Sequence, residues 1–196
     1  CQEDEIDVSR QNQICENMKQ DEQTVVQHEP QDIEKSINIS EGFHKFTDLK
    51  YGCNPHQKEA SIYLMKNSKG QVQEPPFIVL NGTLGYINTL DAINSWKLVC
   101  EIKESMGTAG AASFKHVSPA GVALGVNYAD EEIYFLGTTK EKLEKYSPVA
   151  LAYIRARNCD PKSSFGDFIA VNEKVDITLA KYIKGCVSDG IIAPDY

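Results

Sequence analysis

A lysine and a histidine stand side by side as Lys115–His116 within SFKHVSPAG, residues 113–121. Together they offer a charge and a base. The ammonium of Lys115 would disfavour the imidazolium of His116 and so lower its pKa. A neutral imidazole is the form a general base needs near pH 7. The ammonium would then stabilise negative charge developing on a reacting oxygen. Neighbours on a regular strand point to opposite faces, so a shared task requires the strand to end near Phe114. Ser118 and Pro119 read as the cap and first residue of a helix, whose free N–H groups would suit an anion. Taken alone, Lys-His is as readily a surface dipeptide as a catalytic pair.

Four other loops carry polar groups at the ends of apolar runs. YGCNPHQ (51–57) is a turn in which Tyr51 and His56 could hydrogen-bond a ligand or serve the turn alone. NGTLGYIN (81–88) has two glycines but no GxxxxGK[ST], so it is not a P-loop. Its Asn88 either caps the next helix or touches a ligand. SSFGDF (163–168) and VSDGIIAP (187–194) place Gly166 where a ligand could approach the backbone, and Asp189 where a carboxylate could accept hydrogen bonds. Taken singly, each residue is explained slightly better by ordinary turn chemistry.

The elements that must position these loops alternate. ASIYLM (60–65), FIVL (77–80), AASF (111–114), FIAV (168–171) and GIIA (190–193) read as strands. Apolar residues at 92, 93, 96, 99, 100, 102 and 106 predict a helix over Leu90–Met106, capped by Asn88 or Thr89 and stopped by Gly107. SPAGVAL (118–124), PVALAYIRAR (148–157) and DITLAKYIKGCV (176–187) predict further helices, and 130–145 has a partial helical period. This alternation predicts an α/β fold with a layered sheet. In open sheets of that class, ligands bind at loops beyond the strand ends.

Charge divides the chain. Residues 1–48 hold 12 acidic and 4 basic side chains, whereas the remaining 148 residues hold 16 of each. Seven glutamines fall in the first 31 positions. Residues 1–47 therefore read as an acidic, Gln-rich leader, disordered or weakly helical, and 48–196 as the folded unit. Without a basic stripe, no nucleic-acid partner is expected. No apolar run approaches bilayer length, so no membrane partner is expected either. The six cysteines lie far apart, without CxxC or a Cys/His cluster. That spacing fits reduced thiols in the cytoplasm and predicts no metal. Cys1 at the start and an apolar run just before Tyr196 give both ends the look of a fragment.

LKYGCNPHQ, NGTLGYIN, ASFKHVSPAG, YIRARNCD-PKSSFGDFIA and VSDGIIAP, in this order, resemble the formyltransferase domain of the AICAR transformylase/IMP cyclohydrolase family, in its animal-like form. The likeness runs from about Leu49 to Tyr196. It implies a three-layer α/β/α, cytidine-deaminase-like unit, of which this chain covers the first. It implies transfer of a formyl group from 10-formyltetrahydrofolate, as co-substrate, to the 5-amino group of AICAR (5-aminoimidazole-4-carboxamide ribonucleotide). The deaminase zinc signature HxE…PCxxC is absent. The family's catalytic histidine and lysine fall on His116 and Lys115. Its nucleotide contacts fall on Lys50, Tyr51, His56, Asn88, Gly166 and Asp189. Lys50 stands where the family has arginine, and loss of the bidentate fork predicts weaker nucleotide binding. Residues 1–47 do not resemble the cyclohydrolase domain, so cyclohydrolase activity is not expected. The resemblance further implies a second half that completes the folate and nucleotide sites, and a homodimer. The contrasting expectation, carried by Lys50 and the leader, is a diverged module that binds a purine nucleotide or dimerises without turnover.

Overall fold

The computed structural model describes residues 42–196. The Gln-rich stretch up to residue 41 lies outside the described residues. Strand β1 (Phe43–Asp48) pairs antiparallel with β2 (Ser61–Met65). β1 thus occupies the last residues assigned above to the leader. Helix α1 (Tyr86–Met106) follows, then β3 (Gly110–Lys115), β4 (Ser118–Leu124), the short helices α2 (Asp130–Phe135) and α3 (Lys140–Leu143), and α4 (Pro148–Cys159). β5 (Asp167–Val171), α5 (Ile177–Ile183) and β6 (Ser188–Ile192) complete the described chain. The main sheet has the order β4-β3-β5-β6, with β3 antiparallel to both neighbours and β5 parallel to β6.

The fold is α/β, and the period of two along β3 and β5 explains how it is built. Ala111, Ile169 and Val171 join a core with Val149, Ala152, Tyr153 and Ala156 of α4 and Leu179 of α5. The alternate residues Ala112, Phe114, Phe168 and Ala170 join a second core with Ala92 and Val99 of α1. Both faces of these central strands are therefore buried under helices, which is why they read as continuous apolar runs.

Four expectations change. SPAGVAL is strand β4, not a helix. Ser-Pro is a local helix-start signal, but Gly121 and Ala123 are buried while Val122 and Leu124 are half-buried, a period of two. A Cβ at Gly121 would lie 1.9 Å from the Ala156 carbonyl oxygen, so α4 packs directly on the strand backbone there. The helix N-terminus proposed as an anion site beside His116 does not exist. FIVL forms no strand: Ile78 is 79% exposed and Leu80 72% exposed. It follows Pro75–Pro76 and is anchored by an edge contact between the Phe77 and Phe46 rings, 5.9 Å apart. α1 starts at Tyr86 with Gly85 as cap, which puts Asn88 inside the first turn; its stop at Gly107 is as expected. α5 ends at Ile183, short of Val187, and Asp176 caps it by accepting from the Thr178 and Leu179 N–H groups, each at 2.9 Å.

Candidate functional site

β3 and β4 are joined by only two residues, His116 and Val117, with Lys115 opposite Ser118 across the hairpin. Two-residue hairpin loops of this kind hold both central residues at positive φ and favour Asn-Gly. Here φ is 53° at His116 and 64° at Val117. A β-branched residue in that region is strained by about 1–3 kcal/mol. The strand ends at Lys115, and the left-handed turn redirects His116 away from the alternation the strand would have imposed.

Lys115 is half-buried and its Nζ donates to the carbonyl oxygen of Gly166. The same Nζ lies 3.8 Å from Oδ2 of Asp189, at the start of β6. Gly166 has φ 69°, and a Cβ there would sit 3.1 Å from the Lys115 Nζ. Glycine at this position supplies both the left-handed backbone and room for the ammonium. Lys115 and His116 also line an open cleft of about 540 Å³ with Ser118, Pro119, Lys162, Ser163 and Phe165. Lys115 is thus common to two groups, the Gly166–Asp189 cluster and the cleft that His116 borders.

Two buried carboxylates hold this arrangement, and neither was singled out from sequence. Asp91, on α1 one turn beyond Asn88, is 4% exposed and accepts the Val117 N–H at 2.6 Å. Burial raises its carboxyl pKa above the usual range, opposed by the Val117 N–H and by the neighbouring His116 and Lys115, and reinforced by Asp189. Asp167 is fully buried and accepts from Ser113 Oγ (2.6 Å), Tyr153 OH (2.9 Å), Arg157 Nη1 (2.8 Å) and Ser188 Oγ (2.6 Å). It ties β3, α4 and β6 together next to Gly166 and Asp189. A buried carboxylate so fully paired with a guanidinium is costly to unpair, by about 3–5 kcal/mol. Burial pushes the Tyr153 hydroxyl pKa well up, which keeps it a donor to Asp167. The one sequence signal for Asp91 was its spacing: Asp91, Ser95 and Val99 recur every four residues on the buried side of α1.

The remaining candidates form a looser group. Leu49 N–H bonds to Ala60 O at 2.8 Å and Lys50 N–H to Leu84 O at 2.9 Å, which fastens the Lys50–Tyr51 segment to the glycine loop leading into α1. The 52–57 turn is closed by Gly52 N–H to Gln57 O at 2.8 Å and Asn54 N–H to the Gln57 side chain at 2.8 Å. Lys50 and His56 are exposed, and Tyr51 and Asn88 are half-buried. Among the described residues, no hydrogen bond or ion pair joins Lys50, Tyr51 or His56 to the Lys115 cluster. Asn88 lies one turn before Asp91 on α1. Among the described residues, no group of three or more His, Cys, Asp or Glu side chains is placed to hold a metal ion, and no helix is long and apolar enough to cross a membrane.

Residues 8–196 match the AICARFT/IMPCHase bienzyme family, a match that begins well before Leu49. Over 159 residues, 81% of this chain, it is 32% identical to the bifunctional purine biosynthesis protein PurH of Clostridium perfringens strain 13. It is 35% identical over the same length to the bifunctional purine biosynthesis protein PurH of Clostridium kluyveri. The aligned part is 26% of each relative, so the chain spans about a quarter of the length of the proteins it matches. The chain belongs to the AICARFT/IMPCHase bienzyme family.

Proposed function

We propose that this chain is the first half of the formyltransferase domain of a purine-biosynthetic enzyme. That domain moves a formyl group from 10-formyltetrahydrofolate to the 5-amino group of AICAR. The observation that carries this reading is the convergence of Lys115 with Gly166 and Asp189, with His116 turned out of the strand beside it.

The 5-amino group is conjugated with the ring and carboxamide, so it is a weak nucleophile. His116 takes a proton from it as its nitrogen bonds to the formyl carbon. The formyl oxygen gains negative charge, which the Lys115 ammonium stabilises. The bond from the formyl carbon to folate N10 then breaks, and N10 recovers a proton to give tetrahydrofolate. Lys50, Tyr51, His56, Asn88, Gly166 and Asp189 hold the nucleotide, so that much of the barrier is met by positioning. The helices on both faces of the sheet support a cytidine-deaminase-like unit, without deaminase chemistry. The full-length protein is a cytoplasmic homodimer whose second half completes the site, so residues 1–196 alone form no formyl-AICAR.

The test is product formation by the purified full-length protein supplied with AICAR and 10-formyltetrahydrofolate. Formyl-AICAR should appear, and His116→Ala should slow its formation by at least about 10²–10⁴-fold. Absence of product from the parent protein, or unchanged turnover in His116→Ala, contradicts the reading.

A further inference from the structure

The turn that carries His116 cannot be explained by its own residues. A two-residue loop with positive φ at both positions calls for Asn-Gly, and the chain supplies His-Val. A bulge in the hairpin register between Ser113 and Phe114 adds local twist without relieving Val117. The Val117 N–H donates to Oδ1 of Asp91 at 2.6 Å, reaching across from α1. Asp91 is almost wholly buried, so this bond is made in a low-dielectric setting where losing it is costly. The titratable groups acting on its carboxyl are Lys115 and His116 from the β3–β4 hairpin and Asp189 from β6. All three are residues to which the proposed chemistry assigns a role.

We propose that Asp91 is a positioning residue for the Lys115–His116 pair. Its carboxylate clamps the Val117 amide and so maintains the left-handed turn that directs two consecutive side chains to one substrate. Without the clamp, Val117 relaxes toward ordinary β geometry, and His116 swings with it. Asp91 touches no reacting atom in this account. It acts through the turn, and the inference rests on the formyl-transfer reading.

The experiment compares Asp91→Ala, Asp91→Asn and Asp91→Ala/Val117→Gly in the full-length protein. Asp91→Ala should lower kcat by about 100-fold, the scale of a 1 Å misplacement, with the KM for AICAR within about threefold. Asp91→Asn keeps an oxygen acceptor and should lose less than about tenfold. Glycine adopts positive φ freely, so adding Val117→Gly to Asp91→Ala should restore kcat by about tenfold or more. Hydrogen exchange over the peptide 113–120 reads the clamp without turnover: protection at Val117 should fall in Asp91→Ala and persist in Asp91→Asn. If the parent protein forms no formyl-AICAR, the formyl-transfer reading fails, and the clamp is judged by exchange alone. Unchanged kcat in Asp91→Ala, no rescue by Val117→Gly, or unchanged exchange at Val117 would overturn the proposal. Should Asp91→Ala fail to fold, Asp91→Asn carries the test, and a kcat loss there as large as 100-fold would overturn it too.

Discussion

The two ends of β3 are each held by a buried polar side chain from another element, with opposite consequences. At the Gly110 end the holder is Asn172, just past β5. Its Oδ1 accepts the Gly110 N–H at 2.8 Å, and its Nδ2 donates to Val99 O at 3.0 Å and Thr108 O at 3.2 Å. That residue is neutral, 8% exposed and fully satisfied. At the Lys115 end the holder is Asp91, a carboxylate kept in a costly environment and clamped to a strained turn. The first arrangement lowers the free energy of the fold. The second retains strain and buried charge within reach of two titratable side chains, a pattern typical of sites where geometry is selected for chemistry.

The sharpest way to break the contrast is to disturb each end separately. Lys115→Met should lower kcat for formyl transfer by about 10²–10³-fold, the scale of removing one donor to a developing oxyanion. Its loss of stability should be the smaller effect: one carbonyl oxygen, that of Gly166, loses its donor, and the half-exposed ion pair at 3.8 Å is worth only about 0–1 kcal/mol. Asn172→Ala should do the reverse. It leaves the Gly110 N–H and two carbonyl oxygens without their partner, costing about 1–3 kcal/mol in a denaturant titration, while kcat of the folded fraction stays at the parent value. If Asn172→Ala removed activity without loss of stability, or Lys115→Met only destabilised, the two ends would not differ as described.

A smaller effect sharpens the same contrast through pH. Burial raises the Asp91 pKa above its ordinary value of 3.8. The stability associated with that group is therefore fully present below about 3.8 and is lost as pH rises through the raised value. Asp91→Asn has no charge to lose. Its thermal midpoint should match the parent at acid pH and exceed it slightly at neutral pH. An equal pH dependence in the two proteins would show that Asp91 is not held at such a cost.

Much of this architecture was legible in the chain. The apolar stripe of α1 and its stop at Gly107, the helix of α4 starting at Pro148, and the runs AASF and FIAV are signals in which local pattern and tertiary role agree. The strand ending at the Lys-His step followed from one requirement, that both side chains serve one substrate. β4 was misread because Ser-Pro is a strong local cue. The competing cue, a period of two at Gly121 and Ala123, takes its meaning from α4 lying on that strand. FIVL was misread because an apolar run of that length does not reveal whether anything covers it. Asp91 and Asp167 were missed because their partners are remote, with Val117 26 residues from Asp91 and Ser113 54 residues from Asp167. No local pattern announces which buried carboxylate will meet which donor.

The central claim is that Lys115 and His116, though consecutive, act on one transition state. A double-mutant cycle on kcat/KM in the full-length protein, using Lys115→Ala, His116→Ala and the double variant, tests it most directly. Groups acting as a unit should give a double variant about as impaired as the worse single one. A loss equal to the product of the two separate losses would mean that they work independently, and would contradict the account.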